Sequence, residues 1–269
     1  NKVTKRGKPR KKETSLNIFS TNAASLRAKL KSFKSEIVRC NSGIFTLQET
    51  HFTKKGKVVI EDFEIFETIR KGKIKGGTMI GAHKGLKPIL INELNDPFEI
   101  LVIEIEVANK EIRVISGYGP QDSWTPQQRE PFFQSLEEEI VKSNLAGKSI
   151  IIEADFNSKL GKEYIPNDPH PQDRNGKLLS DIIKRQKLTV ANGLMVCQGT
   201  ITRKRVTTQR TEQSAISFVL VSEDLVNQIE SVIIDEDRDH VLTRISKTRH
   251  GTETKESDHN VIKTSLKLH

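Results

Sequence analysis

The stretch that most constrains the fold is residues 150–158, an apolar run that stops at an acid and an amide spaced two residues apart. A short apolar run bounded by turn-forming residues predicts a strand that is covered on both faces. Such a strand delivers Asp155 and Asn157 to the rim of a sheet, on the same side of the chain. A catalytic site needs polar groups held this rigidly, but Asp and Asn also end ordinary strands, so the stretch alone leaves both interpretations open.

Length and composition restrict the class of protein. A chain of 269 residues can form one large domain with a substantial core. None of its apolar runs approaches the ~20 residues that span a bilayer, so we expect no membrane span and no membrane partner. The basic N-terminus is not followed by an apolar segment, which argues against a signal peptide. With Cys40 and Cys197 as its only cysteines, the chain is expected to be intracellular, without disulfides or a thiolate zinc site.

The net charge of +9 is unevenly distributed, because the first fourteen residues carry +6 of it. This segment contains a glycine, a proline and almost no apolar side chains. We therefore expect a disordered basic tail over residues 1–14 and a single domain over residues 15–269. The tail suits a nuclear-localisation signal, a polyanion-binding arm or a solvated linker, and its composition does not choose among them.

Hydrophobic periodicity predicts an alternation of strands and helices. Strands are predicted at residues 15–20, 43–47, 63–69, 78–82, 100–107, 111–116, 150–155, 188–192 and 215–222, and from 261 onward. Helices are predicted around residues 26–37, 126–142 and 178–183, and the Thr-rich basic segment 202–210 favours a hairpin. This order predicts two mixed sheets packed face to face, with the helices outside.

Polar side chains recur where these strands end. They are Asn22, Glu49, Tyr118, Asp155 with Asn157, and Asp258 with His259. A two-sheet sandwich can gather its strand ends at one rim, so their recurrence indicates a site more strongly than any single residue does.

Four motifs carry a resemblance to a known family: Leu47-Gln48-Glu49-Thr50, Gly117-Tyr118-Gly119-Pro120, Asp155-Phe156-Asn157 and Ser257-Asp258-His259. In this order they resemble the exonuclease-endonuclease-phosphatase superfamily, and most closely the apurinic-type endonuclease domain of non-LTR (LINE-type) retrotransposons. The resemblance implies a four-layered α/β sandwich of DNase-like fold and Mg²⁺-dependent (or Mn²⁺-dependent) cleavage of double-stranded DNA. It also implies a monomeric, nuclear domain that belongs to a larger retrotransposon polyprotein.

The resemblance implies a role for each rim residue. Glu49 would hold the metal, a hard cation that prefers carboxylate oxygen and water, and Asp258 would support the metal or the attacking water. Asp155 would activate that water and His259 would stabilise the transition state, although which of these two acts as the base stays open. The groups implied to donate hydrogen bonds to the phosphate or to neighbouring side chains are Asn22, Tyr118 and Asn157.

One position departs from the family's pattern. Family members carry Ser-x-Ile-Asp-Tyr/Phe before their penultimate strands, and here the frame reads Ser214-Ala215-Ile216-Ser217-Phe218. The replaced acid orients the catalytic histidine, and a serine adds no negative charge. Either Ser217 weakens the site, by a factor on the order of 10² to 10⁴ in rate, or another acid orients His259.

Basic residues favour DNA among the substrates of the superfamily. They are Arg203, Lys204, Arg205 and Arg210 on the predicted hairpin, and Lys73 and Lys75 in a lysine-glycine turn. The sequence thus predicts an endonuclease that nicks target DNA. Its alternatives are a catalytically weak DNA-binding module of the same fold and a phosphatase of small phosphate esters. Five histidines match no motif and are expected to be structural or exposed: His51, His83, His170, His240 and His250.

Overall fold

The computed structural model describes residues 14–69, 76–95, 98–248 and 251–269. Lys73, Lys75 and residues 1–13 of the predicted tail lie outside these ranges. The described residues up to 145 form β1 (Thr14–Asn22), α1 (Leu30–Arg39), β2 (Ile44–Gln48), β3 (Phe63–Glu67), β4 (Thr78–His83), β5 (Ile89–Leu94), β6 (Ile100–Val107), β7 (Lys110–Gly117) and α2 (Pro126–Leu145).

The second half of the chain adds two further helices and ten strands within the described residues. These are β8 (Ser149–Asp155), α3 (Arg174–Arg185), β9 (Leu188–Val190), β10 (Cys197–Gln198), β11 (Arg203–Val206), β12 (Thr211–Ser214), β13 (Ser217–Ser222), α4 (Glu223–Val226), β14 (Ile229–Ile234), β15 (Thr243–Thr248), β16 (Gly251–Glu256) and β17 (Ile262–Leu268).

Most strands belong to two mixed sheets. The seven-stranded sheet has the order β10-β14-β17-β1-β2-β4-β3 and the six-stranded sheet the order β5-β6-β7-β8-β13-β9. Parallel pairs join β1 to β2 and β10 to β14 in the first sheet, and β7 to β8 in the second. Two hairpins, β11–β12 and β15–β16, stand apart from both sheets. The predicted pair of mixed sheets is therefore confirmed.

Three apolar clusters separate four layers. The central cluster lies between the sheets and joins Ile18 and Ile44 of the first to Ile103 and Ile151 of the second. A second cluster packs α2 and α3 on the outer face of the six-stranded sheet. The third packs Phe33 of α1 on the outer face of the seven-stranded sheet. Both sheets are thus covered on both faces, which explains their long apolar runs.

Capping residues fix where two of the helices begin: α2 begins at Pro126 as predicted, whereas α3 begins at Arg174, before the predicted start. Thr125 and Gln128 form a reciprocal capping box around Pro126, the first residue of α2. Asp173 caps α3 by accepting a hydrogen bond from the Gly176 amide. These caps satisfy amide groups that a helix cannot satisfy itself, so they fix where each helix starts. In the part of the chain that the structure describes, no helix is long and apolar enough to cross a membrane.

The core between the sheets becomes polar toward one end. Gln48 Nε2 of β2 donates a hydrogen bond across it to Ser116 Oγ of β7, at 2.9 Å. The buried polar residues at this end are Ser20, Asn22, Thr46, Gln48, Ser116, Glu153 and Asp155. Because side chains alternate along a strand, the same faces that build the apolar core continue into this polar end.

The sequence pattern does not predict β5 or the β15–β16 hairpin. β5 is an edge strand whose residues are exposed or half-buried, so it lacks a buried run. Every residue of β16 is exposed. Neither segment carries the alternation that marks a strand packed on a core. The predicted hairpin over 202–210 is present as β11–β12 and extends to Ser214.

Candidate active site

Strand directions bring the predicted rim residues to one place. Asn22 ends β1 and Glu49 follows β2, its parallel neighbour. Tyr118 follows β7 and forms a bridge with Asp155 at the end of β8, again in parallel. The segment that holds Asp258 and His259 leads into β17, which is antiparallel to β1, so it reaches the same edge. Asn22, Glu49, Tyr118, Asp155, Asn157, Asp258 and His259 all lie at this end of the sandwich.

The Asn22 amide connects the two sheets. Its Nδ2 lies 2.7 Å from Asp155 Oδ2 and 3.2 Å from Glu49 Oε1, and it donates to both. Its Oδ1 accepts a hydrogen bond of 2.9 Å from the Ala24 amide. The orientation of the amide group is therefore fixed, and it holds two carboxylates from different sheets beside each other.

Glu49 lies in a turn with left-handed backbone and is bound by three donors. Tyr118 OH and the Asn22 amide donate to Oε1, and His51 Nε2 lies 3.2 Å from Oε2. Burial raises the pKa of Glu49, but hydrogen bonds from His51, Tyr118 and Asn22 outweigh it and lower the pKa to about 2. Burial and the charge of Glu49 raise the pKa of Tyr118, so its hydroxyl remains a donor. Glu49 is thus an anion at any physiological pH.

Asp155 is fully buried, and its surroundings contain groups that raise its pKa and groups that lower it. Burial raises its pKa, while His259 and the Asn22 amide act in the opposite direction. His259 Nε2 lies 3.8 Å from Asp155 Oδ2 and 4.0 Å from Asp258 Oδ1, too far for a hydrogen bond to either. Asp258 is held instead by Arg203, whose Nε donates to Oδ2 at 2.9 Å.

Asn157 positions the loops that border the site. Its backbone adopts a left-handed conformation, with φ of 47°. Its side-chain Nδ2 donates to the Gly119 carbonyl at 3.0 Å, and its backbone amide donates to Asp155 Oδ1 at 3.2 Å. A Cβ at Gly119 would come within 2.3 Å of the Phe156 carbonyl oxygen, so this close approach requires glycine. The two motifs at Tyr118 and Asp155 are locked together through this contact.

An open cleft of about 1680 Å³ is lined by Asn22, Glu49, Tyr118, Asn157, Asp258 and His259, whereas Asp155 is buried and does not line it. Arg203, Arg205 and Arg210 of the β11–β12 hairpin form one wall, and Lys29 and Lys255 also line the cleft. Lys204 alternates to the other face of β11 and is absent from the lining. Arg203 is engaged by Asp258, and Arg210 pairs with Glu212 at 2.6 Å. Of the predicted hairpin cations, Arg205 is the one that faces the cleft without forming an ion pair within the described residues.

Solved structures share this architecture. The endonuclease domain of TRAS1, a telomere-specific non-LTR retrotransposon, is similar over 94% of this chain and 99% of that chain, with a TM-score of 0.66 and 18% identity. The AP endonuclease LMAP from Leishmania major covers 95% of this chain and 88% of its own length, with a TM-score of 0.72 and 12% identity. The 3'-5' exonuclease NExo from Neisseria meningitidis is similar over 94% of this chain and 100% of its own, with a TM-score of 0.71 and 16% identity.

The chain has the endonuclease/exonuclease/phosphatase fold. The predicted four-layered sandwich is confirmed by these structures and by the layers described above. No model of a protein family matches the sequence, and no curated protein does so significantly.

Ser217 stands where the motif pattern of the superfamily that the sequence resembles has an acid, and it leaves the nearby His259 ring without a carboxylate partner among the described residues. Ser217 pairs with Asp155 across β13 and β8, so it faces the same end of the core. Its Oγ and the Nδ1 atom of His259 are both buried, and neither has a hydrogen-bond partner among the described residues. No described acid takes the place of the missing carboxylate at Nδ1. His259 is instead held through its backbone amide, which donates to Ser257 Oγ at 3.3 Å.

The donor set of the cleft fits a hard divalent cation. Glu49 is anionic, partly exposed and close to the carboxylate of Asp155 through their shared Asn22 donor. Mg²⁺ and Mn²⁺ bind such oxygen ligands and keep several waters when few protein ligands are present. A different group, Glu36, Cys40 and His240, also brings three ligand atoms together. None of these three lines the cleft, and the Lys263 ammonium lies 2.9 Å from His240 Nε2.

Several residues in and beside the cleft were not predicted as site residues from the sequence. His51 was expected to be structural or exposed, but the left-handed turn after β2 returns its ring to Glu49. His170 and Lys29 line the cleft from a polar loop and from a 3-10 turn. Only the position of His51, two residues after a predicted metal ligand, offered a signal in the sequence.

Proposed function

We propose that the chain is a Mg²⁺-dependent endonuclease that nicks double-stranded DNA. The observation that carries the proposal is the side-chain amide of Asn22, which holds Glu49 of an arginine-walled cleft beside the buried Asp155. The two carboxylates differ in their environments, since the pKa of Glu49 is lowered and that of Asp155 is raised. Separating two carboxylates in this way suits one to a metal and the other to a proton.

Asp155 supplies the base in this proposal. A carboxylate whose pKa is raised by burial binds a proton more readily, so it can take one from an attacking water. The Asn22 side chain and the Asn157 backbone amide hold the two carboxylate oxygens of Asp155 in place. His259 lines the cleft and can donate from Nε2 to a phosphate oxygen, where it would offset charge that develops in the transition state.

Glu49 is the metal ligand in this proposal, with Asp258 as a supporting acid that Arg203 orients. Mg²⁺ bound there would neutralise charge on the scissile phosphate and on the leaving oxygen. Tyr118 remains protonated and can share its hydroxyl with the phosphate, since burial and Glu49 both oppose its ionisation.

The proposed cellular role rests on the similarity to the TRAS1 domain. The TRAS1 domain is the endonuclease of a non-LTR retrotransposon. By analogy, we propose that the present chain nicks target DNA for retrotransposition, within a larger polyprotein and in the nucleus. The AP endonuclease and exonuclease relatives show that fold alone does not determine which DNA structure is attacked.

A second candidate is a catalytically weak DNA-binding module. His259 Nδ1 and Ser217 Oγ lack hydrogen-bond partners in the described part of the chain, which favours it, because an unoriented histidine stabilises the transition state poorly. This candidate keeps the basic cleft and its binding of DNA but loses most of the chemistry.

Substrate class is tested by incubating the protein with supercoiled plasmid and, separately, with small phosphate monoesters. We expect conversion of the plasmid to open circles in Mg²⁺ but not in EDTA, with no release of inorganic phosphate from the esters. Release of phosphate without nicking would assign the site to a phosphatase. Retardation of the DNA without nicking would favour the binding module.

A further inference from the structure

The β15–β16 hairpin is attached beside the catalytic segment. At its base, the Thr243 amide donates to Ser32 Oγ at 3.2 Å, and the Ser257 amide donates to the Leu242 carbonyl at 2.9 Å. Ser257 Oγ also donates to the Asn22 carbonyl at 2.8 Å. The hairpin therefore ends directly before Asp258 and His259, whereas β11 borders the same segment from the other side through the Arg203–His259 bridge.

Two cations stand side by side on this hairpin. Arg244 of β15 and Lys255 of β16 are directly opposite in the antiparallel register. Opposite residues of an antiparallel pair project from the same face, and Lys255 lines the cleft. Both side chains are exposed, and within the described residues neither forms an ion pair.

Lys29 adds a third cation to this wall. It is 5% exposed, and its Nζ donates to the carbonyls of Ala23 and Ala24 at 2.6 and 2.7 Å. Burial lowers the pKa of Lys29 to about 8; Asp258 opposes this, while Lys255 and Arg244 add to it. Lys255 and Arg244 repel Lys29, and a phosphate bound among the three would add to the attraction that Asp258 and Glu49 already exert on it.

We propose that Lys29, Arg244 and Lys255 form a phosphate-binding subsite for the DNA backbone, separate from the site at Glu49 and Asp155. This inference deepens the proposed function, on which it rests for the identity of the polymer. Lys29 and Lys255 line the cleft from elements other than the β11–β12 hairpin that carries the arginines, and Arg244 stands directly opposite Lys255, so the two groups of cations form separate walls. A small phosphate ester carries one phosphate and cannot engage both walls, whereas a DNA duplex presents phosphates along its whole length.

The test is binding of a labelled duplex in EDTA, where no metal-dependent cleavage occurs, over about 50 to 200 mM salt. Lys255→Gln is compared with Lys247→Gln, which removes the same charge from the other face of the same hairpin. We expect Lys255→Gln to weaken binding several-fold and to reduce the salt slope by about one, and Lys247→Gln to stay within about twofold of wild type. Arg244→Gln/Lys255→Gln should lose tenfold or more, on the order of two phosphate contacts.

The outcomes separate this inference from the proposed nuclease. Equal affinities of Lys255→Gln and Lys247→Gln would overturn the subsite even if wild type nicks plasmid efficiently. A selective loss in Lys255→Gln supports the subsite even if no nicking is found, in which case the nuclease proposal fails alone. Absence of any DNA binding by wild type overturns both. Should the double variant unfold, as shown by its melting temperature, the two single variants decide the question.

Discussion

At the scale of single residues, Ser217 bears most directly on whether the cleft is active. Its hydroxyl and His259 Nδ1 are buried and find no hydrogen-bond partner among the residues that the structure describes, although both lie at the polar end of the core. A buried donor without an acceptor costs free energy and leaves the ring without the bond that selects its tautomer. An acid at this position would supply both the acceptor and a negative charge.

We expect Ser217→Asp to increase the rate of Mg²⁺-dependent plasmid nicking by a factor on the order of 10². The reason is a hydrogen bond from His259 Nδ1 to the new carboxylate, which fixes the ring and favours its cationic form. Ser217→Asn is the matched control, since it offers an acceptor of similar shape without the charge. Equal rates for wild type and Ser217→Asp would show that this position does not limit the chemistry.

Glu153 is a second residue with a measurable consequence. It lies two residues before Asp155, fully buried between the sheets, and neither carboxylate oxygen has a hydrogen-bond partner within the described residues. Burial raises its pKa to about 7, although the nearby hydroxyls of Thr264 and Ser20 oppose this without reaching hydrogen-bond geometry. A glutamate in an unfolded chain titrates near pH ~4.3, so the folded state retains a proton that the unfolded state has lost over the interval between.

The free energy of unfolding should therefore decrease as the pH rises from about 4.5 to 7, and the loss should persist above pH 7. In wild type, Glu153 should lower the free energy of unfolding by up to about 3 kcal/mol between pH 5 and pH 8. Glu153→Gln should lack this decrease. Urea unfolding gives the difference in unfolding free energy between wild type and variant at pH 5 and again at pH 8. Comparing the two differences cancels the contributions of the other titrating groups. A difference that is the same at both pH values would mean that Glu153 titrates normally.

At the scale of elements, the two hairpins determine what the cleft can hold. They border the segment of Asp258 and His259 from opposite sides and carry cations toward the cleft. The β11–β12 hairpin combines an arginine that orients Asp258 with one that forms no ion pair in the described part of the chain. Such a hairpin suits recognition of backbone shape and charge more than reading of base sequence.

For the β11–β12 hairpin, Arg205→Gln should weaken duplex binding several-fold and reduce its salt slope by about one. Lys204→Gln, which alternates to the face away from the cleft, should bind within about twofold of wild type. Fluorescence anisotropy in EDTA measures both. Similar losses in the two variants would indicate a diffuse charge effect of the hairpin and not a directed contact.

The sequence predicts most of the buried elements because burial leaves a pattern, although it does not predict β14, which is partly buried. The strands around Asp155 and Phe218 are apolar on both faces, and they form as expected in the middle of the six-stranded sheet. The exposed β15–β16 hairpin leaves no such pattern, since its strands pair with each other without covering a core. Among the cleft residues, those in family motifs could be anticipated. Lys29 could not, because its position depends on carbonyl acceptors that only the folded turn provides.

At the scale of the whole molecule, the parallel pairs β1–β2 and β7–β8 explain why a site forms at all. They end at the same edge of the sandwich, so that residues more than a hundred positions apart, such as Asn22 and Asp155, share a hydrogen bond. The polar end of the central core continues directly into the cleft. The fold thus supplies a rigid arrangement of polar groups and walls of positive charge, both of which the proposed cleavage of a DNA backbone would use.

The most direct test of the central claim is the single-turnover rate of nicking at saturating protein, compared between wild type and Glu49→Ala. The exposed Glu64→Ala serves as a control for removal of a glutamate, and binding in EDTA verifies that each variant still holds the DNA. We expect wild type and Glu64→Ala to nick bound plasmid only with Mg²⁺, and Glu49→Ala to bind it without nicking. Nicking by Glu49→Ala at the wild-type rate, or binding without nicking by all three proteins, would contradict the assignment of this cleft as a metal-dependent nuclease site.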